Sequence, residues 1–210
     1  MIFALTPVAA GVARYGFADT GALASDFELA MALKPASLAL HIASAATFMA
    51  VGALQLGPGL RQRHPALHRR LGYVGWSAGL LMGLTGVWLQ VAHPWAEGAE
   101  WAAQAVRAVM AALLLYWLAA GLRAILNRNV AVHRAHMLRA YVVGAGATTN
   151  GVLIGVWVGA GQDLSPNAFA IIMAVGWAGL LLWLETRVIH RGQSSLSSSP
   201  GKLKKLSASR

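Results

Sequence analysis

The sequence predicts an all-α fold, a polytopic transmembrane helical bundle of five or six spans. The first observation behind this prediction is composition: 57% of the 210 residues are hydrophobic and 11% are charged, against about 25% charged residues in soluble domains. The second is a series of apolar stretches of about 20 residues, the length that a helix needs to cross a bilayer. The third is that the basic residues concentrate between these stretches. Because lipid offers the backbone no hydrogen-bond partners, each apolar stretch should be helical.

The first predicted span, residues 1–18, is the least regular. It is apolar but short, and Arg14 interrupts it. Residues 22–24, before Ser25, resemble a signal-peptidase site, but a signal peptide should open with basic residues and this segment does not. We therefore expect a sixth, N-terminal helix here, with a cleaved signal peptide as the alternative.

Five further spans follow, and with residues 1–18 they form a single transmembrane domain over residues 1–191. Their predicted bounds are about 36–56, 71–92, 102–126, 137–160 and 167–189. Residues 192–210 are rich in Ser, Gly and Lys and cannot bury enough apolar area to offset the entropy cost of ordering. We expect them to form a disordered, basic cytoplasmic tail.

The distribution of charge predicts the orientation. Most of the 17 basic residues lie in or beside three regions, 61–70, 123–139 and 187–210, which the predicted spans place on one side of the membrane. By the positive-inside rule that side is cytoplasmic, so the C-terminus is cytoplasmic and the protein belongs in the inner membrane of a bacterial cell. The acidic residues except Glu185 fall on the other side. The net charge of +10 thus records orientation in a lipid bilayer and does not indicate binding to nucleic acid.

A short pattern occurs twice. Gly-Leu-Arg at 59–61 followed by His-Arg at 68–69 recurs as 121–123 followed by 133–134. The repeat suggests a duplicated helical hairpin, with the two copies related as parallel repeats are. The alternative is that any cytoplasmic loop attracts arginine, which explains the arginines but not the paired histidines.

Polar residues inside the spans are candidate ligand-binding residues, because they are costly there without a partner or a cavity. His41 and Arg107 are each about one turn into a span from the outer side, so they could line a cationic pocket for an anionic head group or a carboxylate. Packing of His41 and snorkelling of Arg107 are the alternatives. Asn150, near mid-membrane, would line a solute path if one exists, and helix packing is the alternative.

On the cytoplasmic side, His68 and His133 occupy matching positions of the repeat and are candidate ligands of haem b, which two histidines of a helical bundle can hold. Satisfied interfacial histidines are the alternative. His133 and His136 are spaced to share a helix face, but the only nearby carboxylate is Glu185, and we expect no metal-ion site. Arg139 and Glu185 are expected to form a structural ion pair.

Three classes of function remain open from these residues. They are a haem- or quinone-linked electron-transfer protein, a small-solute or lipid transporter, and a membrane accessory subunit that acts with a membrane-protein partner or as a homo-oligomer. The absence of cysteine excludes thiolate metal sites and disulfides. No catalytic residue is predicted, because the sequence contains no Gly-x-Ser-x-Gly, Walker or zinc-protease motif.

Several segments together resemble a known family. They are residues 52–72, the Thr-Gly-Val-Trp at 85–88, Arg107, residues 133–150, and Gly176-Trp177 with Glu185. This set, spread from about residue 7 to residue 191, is similar to the bacterial membrane proteins grouped as domain of unknown function 2306. The resemblance implies a multi-pass inner-membrane protein with a full first helix, which favours six spans. In that pattern an aromatic residue usually stands at His136, so a metal site using His136 would be peculiar to this protein.

Overall fold

The computed structural model describes residues 35–92 and 101–189, which contain six α-helices and no strand. The helices are α1 (Pro35–Leu56), α2 (Pro58–Arg63), α3 (Pro65–Ala92), α4 (Trp101–Leu126), α5 (Val130–Gly159) and α6 (Pro166–Leu184), and α6 continues as a π-helical turn over Glu185–Ile189. All except α2 are long and apolar enough, by length and composition, to cross a membrane. The predicted all-α bundle is confirmed. Residues 1–18 and 192–210 lie outside the described residues.

Proline and polar caps fix where these helices start. Pro65 opens α3, where its missing N–H costs no hydrogen bond. The Asn129 side chain accepts a hydrogen bond from the Val132 amide at the start of α5. Ser165 does the same for Ala168 and is followed by Pro166 at the start of α6. These caps satisfy amides that have no partner inside the helix.

Helices α3 and α5 begin earlier than the predicted spans 71–92 and 137–160. They start at Pro65 and Val130, so each gains one to two turns at the arginine-rich end. The predicted starts followed the apolar residues alone, whereas Pro65 and the Asn129 cap determine where helical backbone begins. His68 and His133 therefore lie within helices.

The helices pack as a bundle in which α1 contacts α3 and α5, α4 contacts α3, α5 and α6, and α5 also contacts α6. Phe48 of α1 and Leu118 of α4 lie at the centre of the main core and are 2% and 0% exposed. Residues of α4 and α6, among them Ala103, Met173 and Trp177, form a second cluster. The polar residues discussed below are positioned by these contacts.

Glycines allow the aromatic side chains to enter between helices. A Cβ atom at Gly79 of α3 would lie 2.8 Å from the ring of Phe48, and one at Gly144 of α5 would lie 2.9 Å from the same ring. Phe48 thus fills a space that two glycines leave open. Because lipid tails are as apolar as these rings, close van der Waals packing at small residues is what holds such helices together.

Hydrogen bonds from aromatic side chains to backbone carbonyls join neighbouring helices. The donors and acceptors are Trp76 Nε1 and Leu118 O (2.9 Å), Trp177 Nε1 and Val143 O (2.9 Å), and the Tyr141 hydroxyl and Met49 O (3.4 Å). Each bond satisfies a donor that lipid could not. These bonds therefore fix the depth of one helix against the next.

The relation between α3 and α5 extends beyond the repeated His-Arg pattern. Trp76 and Tyr141, Gly79 and Gly144, and Thr85 and Asn150 are each separated along the chain by the same number of residues as His68 and His133. Trp76 of α3 donates to α4, and Tyr141 of α5 donates to α1. Each hairpin thus bonds to the first long helix of the other, as two-fold-related hairpins would. This reciprocity supports the hypothesis of a duplicated hairpin.

Gly146 provides a test of packing at glycine. A Cβ at Gly146 would overlap the ring of Trp177, which is buried and bonded to Val143. We expect Gly146→Ala to lower the free energy of unfolding by about 1–3 kcal/mol, the usual cost of overpacking. Gly151, on the same helix, has nothing within 4 Å of its Cβ position, so Gly151→Ala should cost nothing. Thermal unfolding in detergent compares the two, and equal losses would contradict the packing described.

Candidate functional site

The end of the bundle that carries α2, the start of α3, the end of α4 and the start of α5 is rich in arginine, and we name it the arginine-rich end. Four histidines lie there. We give the name histidine cluster to three of them, His68 on α3 and His133 and His136 on α5. The imidazoles of His68 and His133 lie near enough for their charges to interact, and so do those of His133 and His136. The two histidines predicted to bind haem thus lie at the same end of the bundle.

His133 is oriented by a backbone carbonyl. Its Nδ1 lies 2.8 Å from the carbonyl oxygen of Gly121 in α4. Since that oxygen can only accept, Nδ1 carries the hydrogen, and in the neutral ring Nε2 has the lone pair. Gly121 allows the two helices to approach closely, because a Cβ there would lie 2.9 Å from Met137 Sδ and the methionine would have to shift. The close approach of α4 and α5 at this glycine therefore sets the tautomer and direction of His133.

His68 is held by its backbone and leaves a ring nitrogen unused. Its carbonyl oxygen accepts a hydrogen bond of 2.8 Å from Gln55 Nε2 of α1. Its Nδ1 is buried and has no hydrogen-bond partner in the described structure. Arg61 of α2 also lies within electrostatic range of the ring. A buried polar atom without a partner is uncommon in folded proteins and needs an explanation.

His136 faces a different neighbour. Its ring meets that of Tyr116 of α4 edge to face, with centroids 6.3 Å apart, and its Nδ1 is buried without a partner in the described chain. Within residues 35–92 and 101–189, no group of three or more His, Asp or Glu side chains is arranged to hold a metal ion. The histidine cluster therefore offers unused ring nitrogens without the carboxylates of a multi-ligand metal site.

Arg139 and Glu185 join α5 to the π-helical turn after α6. Nε of Arg139 lies 2.5 Å from Oε1 of Glu185, and Nη2 lies 2.9 Å from Oε2. The two side chains are 21% and 33% exposed. Bidentate pairing of this kind is the strongest arrangement of an arginine with a carboxylate. Its place between two helices indicates a structural role.

His41 and Arg107, the candidate ligand residues farther from the arginine-rich end, contact different helices. His41 Nδ1 lies 3.0 Å from Thr85 Oγ1 of α3, and that hydroxyl donates to the Leu81 carbonyl at 2.7 Å. Thr85 therefore accepts from His41. The guanidinium carbon of Arg107 lies 5.3 Å from the ring centroid of Phe169 in α6, a cation–π contact. These contacts hold His41 against α3 and Arg107 against α6.

Asn150, the third candidate ligand residue, lies between α5 and α6. It is 4% exposed, and neither Oδ1 nor Nδ2 has a partner among the described residues. Its Oδ1 sits where a side chain at Gly176 would begin. The structure thus places Asn150 apart from the histidine cluster, in the interior of the bundle.

Sequence reasoning missed two residues that position these groups. Thr85 entered only as part of a family motif, although its separation from Asn150 repeats that of His68 and His133. Extending the repeat beyond the His-Arg pattern would have identified it. Gly121 was recognised as part of the repeat, but no sequence signal shows that its carbonyl bonds to His133.

The bond between Arg139 and Glu185 can be tested by substitution. We expect Glu185→Gln to lower the free energy of unfolding by about 1.5–3 kcal/mol, the range for a hydrogen bond to a charged group. Arg134→Gln, at an exposed position of the same helix, should change it by less than about 0.5 kcal/mol. Chemical unfolding in detergent measures both. If the exchanged pair Arg139→Glu with Glu185→Arg regains none of the loss, the pairing is not the cause.

Comparison with family models gives one finding. The family described as predicted membrane protein (DUF2306) matches residues 38–186, a range that includes α2 to α6, most of α1, and the histidine cluster. Comparisons with curated proteins and with solved structures give no match. The match confirms the resemblance that the sequence motifs indicated, and the chain belongs to the DUF2306 family of membrane proteins.

Proposed function

We propose that this multi-pass membrane protein binds a cofactor at the histidine cluster, that the cofactor is haem b held by His68 and His133, and that the protein transfers electrons. We place it in the bacterial inner membrane with the arginine-rich end in the cytoplasm. The observation that carries the proposal is that His68 of α3 and His133 of α5 lie at the same end of the bundle, where the Gly121 carbonyl fixes the ring of His133.

The orientation of His133 supports this function. A metal-binding imidazole usually donates its second N–H to a carbonyl or carboxylate, which fixes the ring and raises the basicity of the free nitrogen. The bond from His133 Nδ1 to Gly121 has this form, and it leaves Nε2 for the iron. His68 adds a ring whose Nδ1 has no partner within the described residues. Iron in haem b needs only these two protein ligands.

The charges around the cluster also fit the cofactor. Arg61 lies within electrostatic range of His68, and Arg69 and Arg134 follow directly after the two histidines. Haem b carries two propionate groups, and arginine pairs with carboxylates through two parallel hydrogen bonds. Bound haem would supply one-electron transfer, and this chain would hold the iron through imidazole and the propionates through arginine.

The contacts of His41 and Arg107 support the transporter function less well than the histidine cluster supports haem binding. An open cationic pocket would need His41 and Arg107 to face a common space, whereas His41 bonds to Thr85 and Arg107 lies on Phe169. Both contacts join helices to each other. We therefore assign His41 and Arg107 to packing, and the transporter and accessory-subunit functions become the outcomes that a failed haem test would leave.

An absorption spectrum of the purified protein tests the proposal. Protein from haem-replete cells should show a Soret band that shifts when dithionite is added, together with a sharp α band. His68→Ala and His133→Ala should each lose the bands, because each removes an iron ligand. His64→Ala is the matched control, since His64 is exposed at the end of α2. Bands that survive in the His68 and His133 variants, or a colourless wild-type protein, would overturn the proposal.

The proposed orientation is testable because the chain has no cysteine. Gln162 and Asn127 are exposed positions in the connections after α5 and after α4. In intact cells, a membrane-impermeant maleimide should label Gln162→Cys at once and Asn127→Cys only after permeabilisation. The reverse pattern would show that the arginine-rich end faces outward.

A further inference from the structure

Asn150 has the smallest exposed fraction, 4%, among the described residues that leave a side-chain polar atom buried without a partner. A side-chain amide has an acceptor oxygen and two N–H donors. Neither Oδ1 nor Nδ2 is used within the described chain. Because an unmade hydrogen bond in an apolar interior is unfavourable, the amide requires a partner that the described residues do not supply.

The surroundings of Asn150 hold it between α5 and α6. One and two turns earlier on α5, Gly146 lies under the ring of Trp177, and the Val143 carbonyl accepts a hydrogen bond from that ring. Gly176 of α6 approaches Asn150 Oδ1 so closely that no Cβ fits there. Leu153 lies beside the same glycine. The amide is therefore confined to an uncharged seam of small and apolar residues.

The hairpin of α1 and α3 shows which kind of hydrogen-bond partner Asn150 lacks. Thr85 stands on α3 where Asn150 stands on α5, and His41 of α1 bonds to its hydroxyl. The carbonyls of Met49 in α1 and Leu118 in α4 accept equivalent hydrogen bonds, so these two residues occupy matching positions of the hairpins. Met110 of α4 lies as far along the chain from His41 as Leu118 lies from Met49, and it therefore matches His41. Met110 packs in the apolar core. The second hairpin thus has no counterpart of His41, and the described residues show no equivalent of the bond from His41 to Thr85 at Asn150.

We propose that Asn150 binds a small neutral molecule carrying both a hydrogen-bond donor and an acceptor, held in the seam between α5 and α6. The molecule must offer both functions because the amide does, and it must be neutral because the seam around Gly176 is uncharged. Water and a small amide share this chemistry. The site is separate from the histidine cluster, so it does not depend on haem binding.

Selective labelling tests this site in the full chain. The sequence contains four asparagines, at 127, 129, 150 and 167, and only Asn150 follows a threonine. In deuterated, [15N]Asn-labelled protein in lipid nanodiscs, pair labelling with [13C]Thr therefore assigns the backbone amide of Asn150, and the side-chain NH2 signal that is lost in Asn150→Ala is assigned to its side chain. We expect its side-chain NH2 to show a cross peak to long-lived water, or a saturable shift when acetamide is added. Asn129 is the control, because its amide lies at the exposed start of α5, and its shift should not saturate.

Each result decides the question. A water cross peak that acetamide leaves unchanged identifies the bound molecule as water. A saturable acetamide shift that removes the water peak identifies a site for small solutes. An Asn150 amide that shows neither signal overturns the proposal, because its partner is then within the protein.

Gly176→Ala provides a second measurement. Its methyl group would occupy the position of Asn150 Oδ1, so we expect it to remove the cross peak or the acetamide response while the Asn129 signal stays in place. Gly179→Ala, where nothing lies within 4 Å of the Cβ position, should retain the response. A Gly176→Ala protein that still gives the full response would show that the molecule lies elsewhere.

Discussion

The close approach of helices at glycine is the constraint on which the rest of the structure depends. Phe48 lies between Gly79 of α3 and Gly144 of α5, so one ring brings three helices to a common centre. In lipid no hydrophobic effect drives apolar side chains together, and dense packing with interhelical hydrogen bonds must do so instead. The bonds from Trp76, Tyr141 and Trp177 to carbonyls of neighbouring helices follow from that proximity. A larger residue at either glycine would overlap the Phe48 ring, so the ring or the helices would have to shift.

Polar side chains inside the bundle divide into two groups by whether the chain supplies their partners. His41 is matched by Thr85, and Arg139 by Glu185, each across a helix contact. Ring nitrogens of His68 and His136 and the amide of Asn150 have no partner in the described residues. A buried polar group without a partner opposes folding. The proposed haem site and the proposed site at Asn150 both rest on this distinction.

Much of the fold could be predicted because it depends on local composition. Apolar length identified the five helices that can cross a membrane, and Pro65 and Pro166 mark two of their starts. The candidate site was predictable only in part. The repeat singled out His68 and His133, but it did not reveal that Gly121 orients one ring while the other keeps an unused nitrogen. A backbone partner such as the Gly121 carbonyl cannot be predicted from the sequence, because every residue has a carbonyl. Helix packing determines which carbonyl lies next to the histidine.

The sequence by itself determined the class of the protein, its helices and the residues that repeat between hairpins. The reason is that a backbone in lipid must satisfy its own hydrogen bonds, so a sufficiently long apolar segment forms a helix whatever its neighbours in space are. The tertiary structure alone decided which polar groups meet. His41 and Arg107 stand at similar depth in the sequence, yet helix packing turns one toward Thr85 and the other toward Phe169. Depth follows from counting residues along a helix, whereas direction depends on how each helix rotates to fit its glycines and aromatic rings against the others.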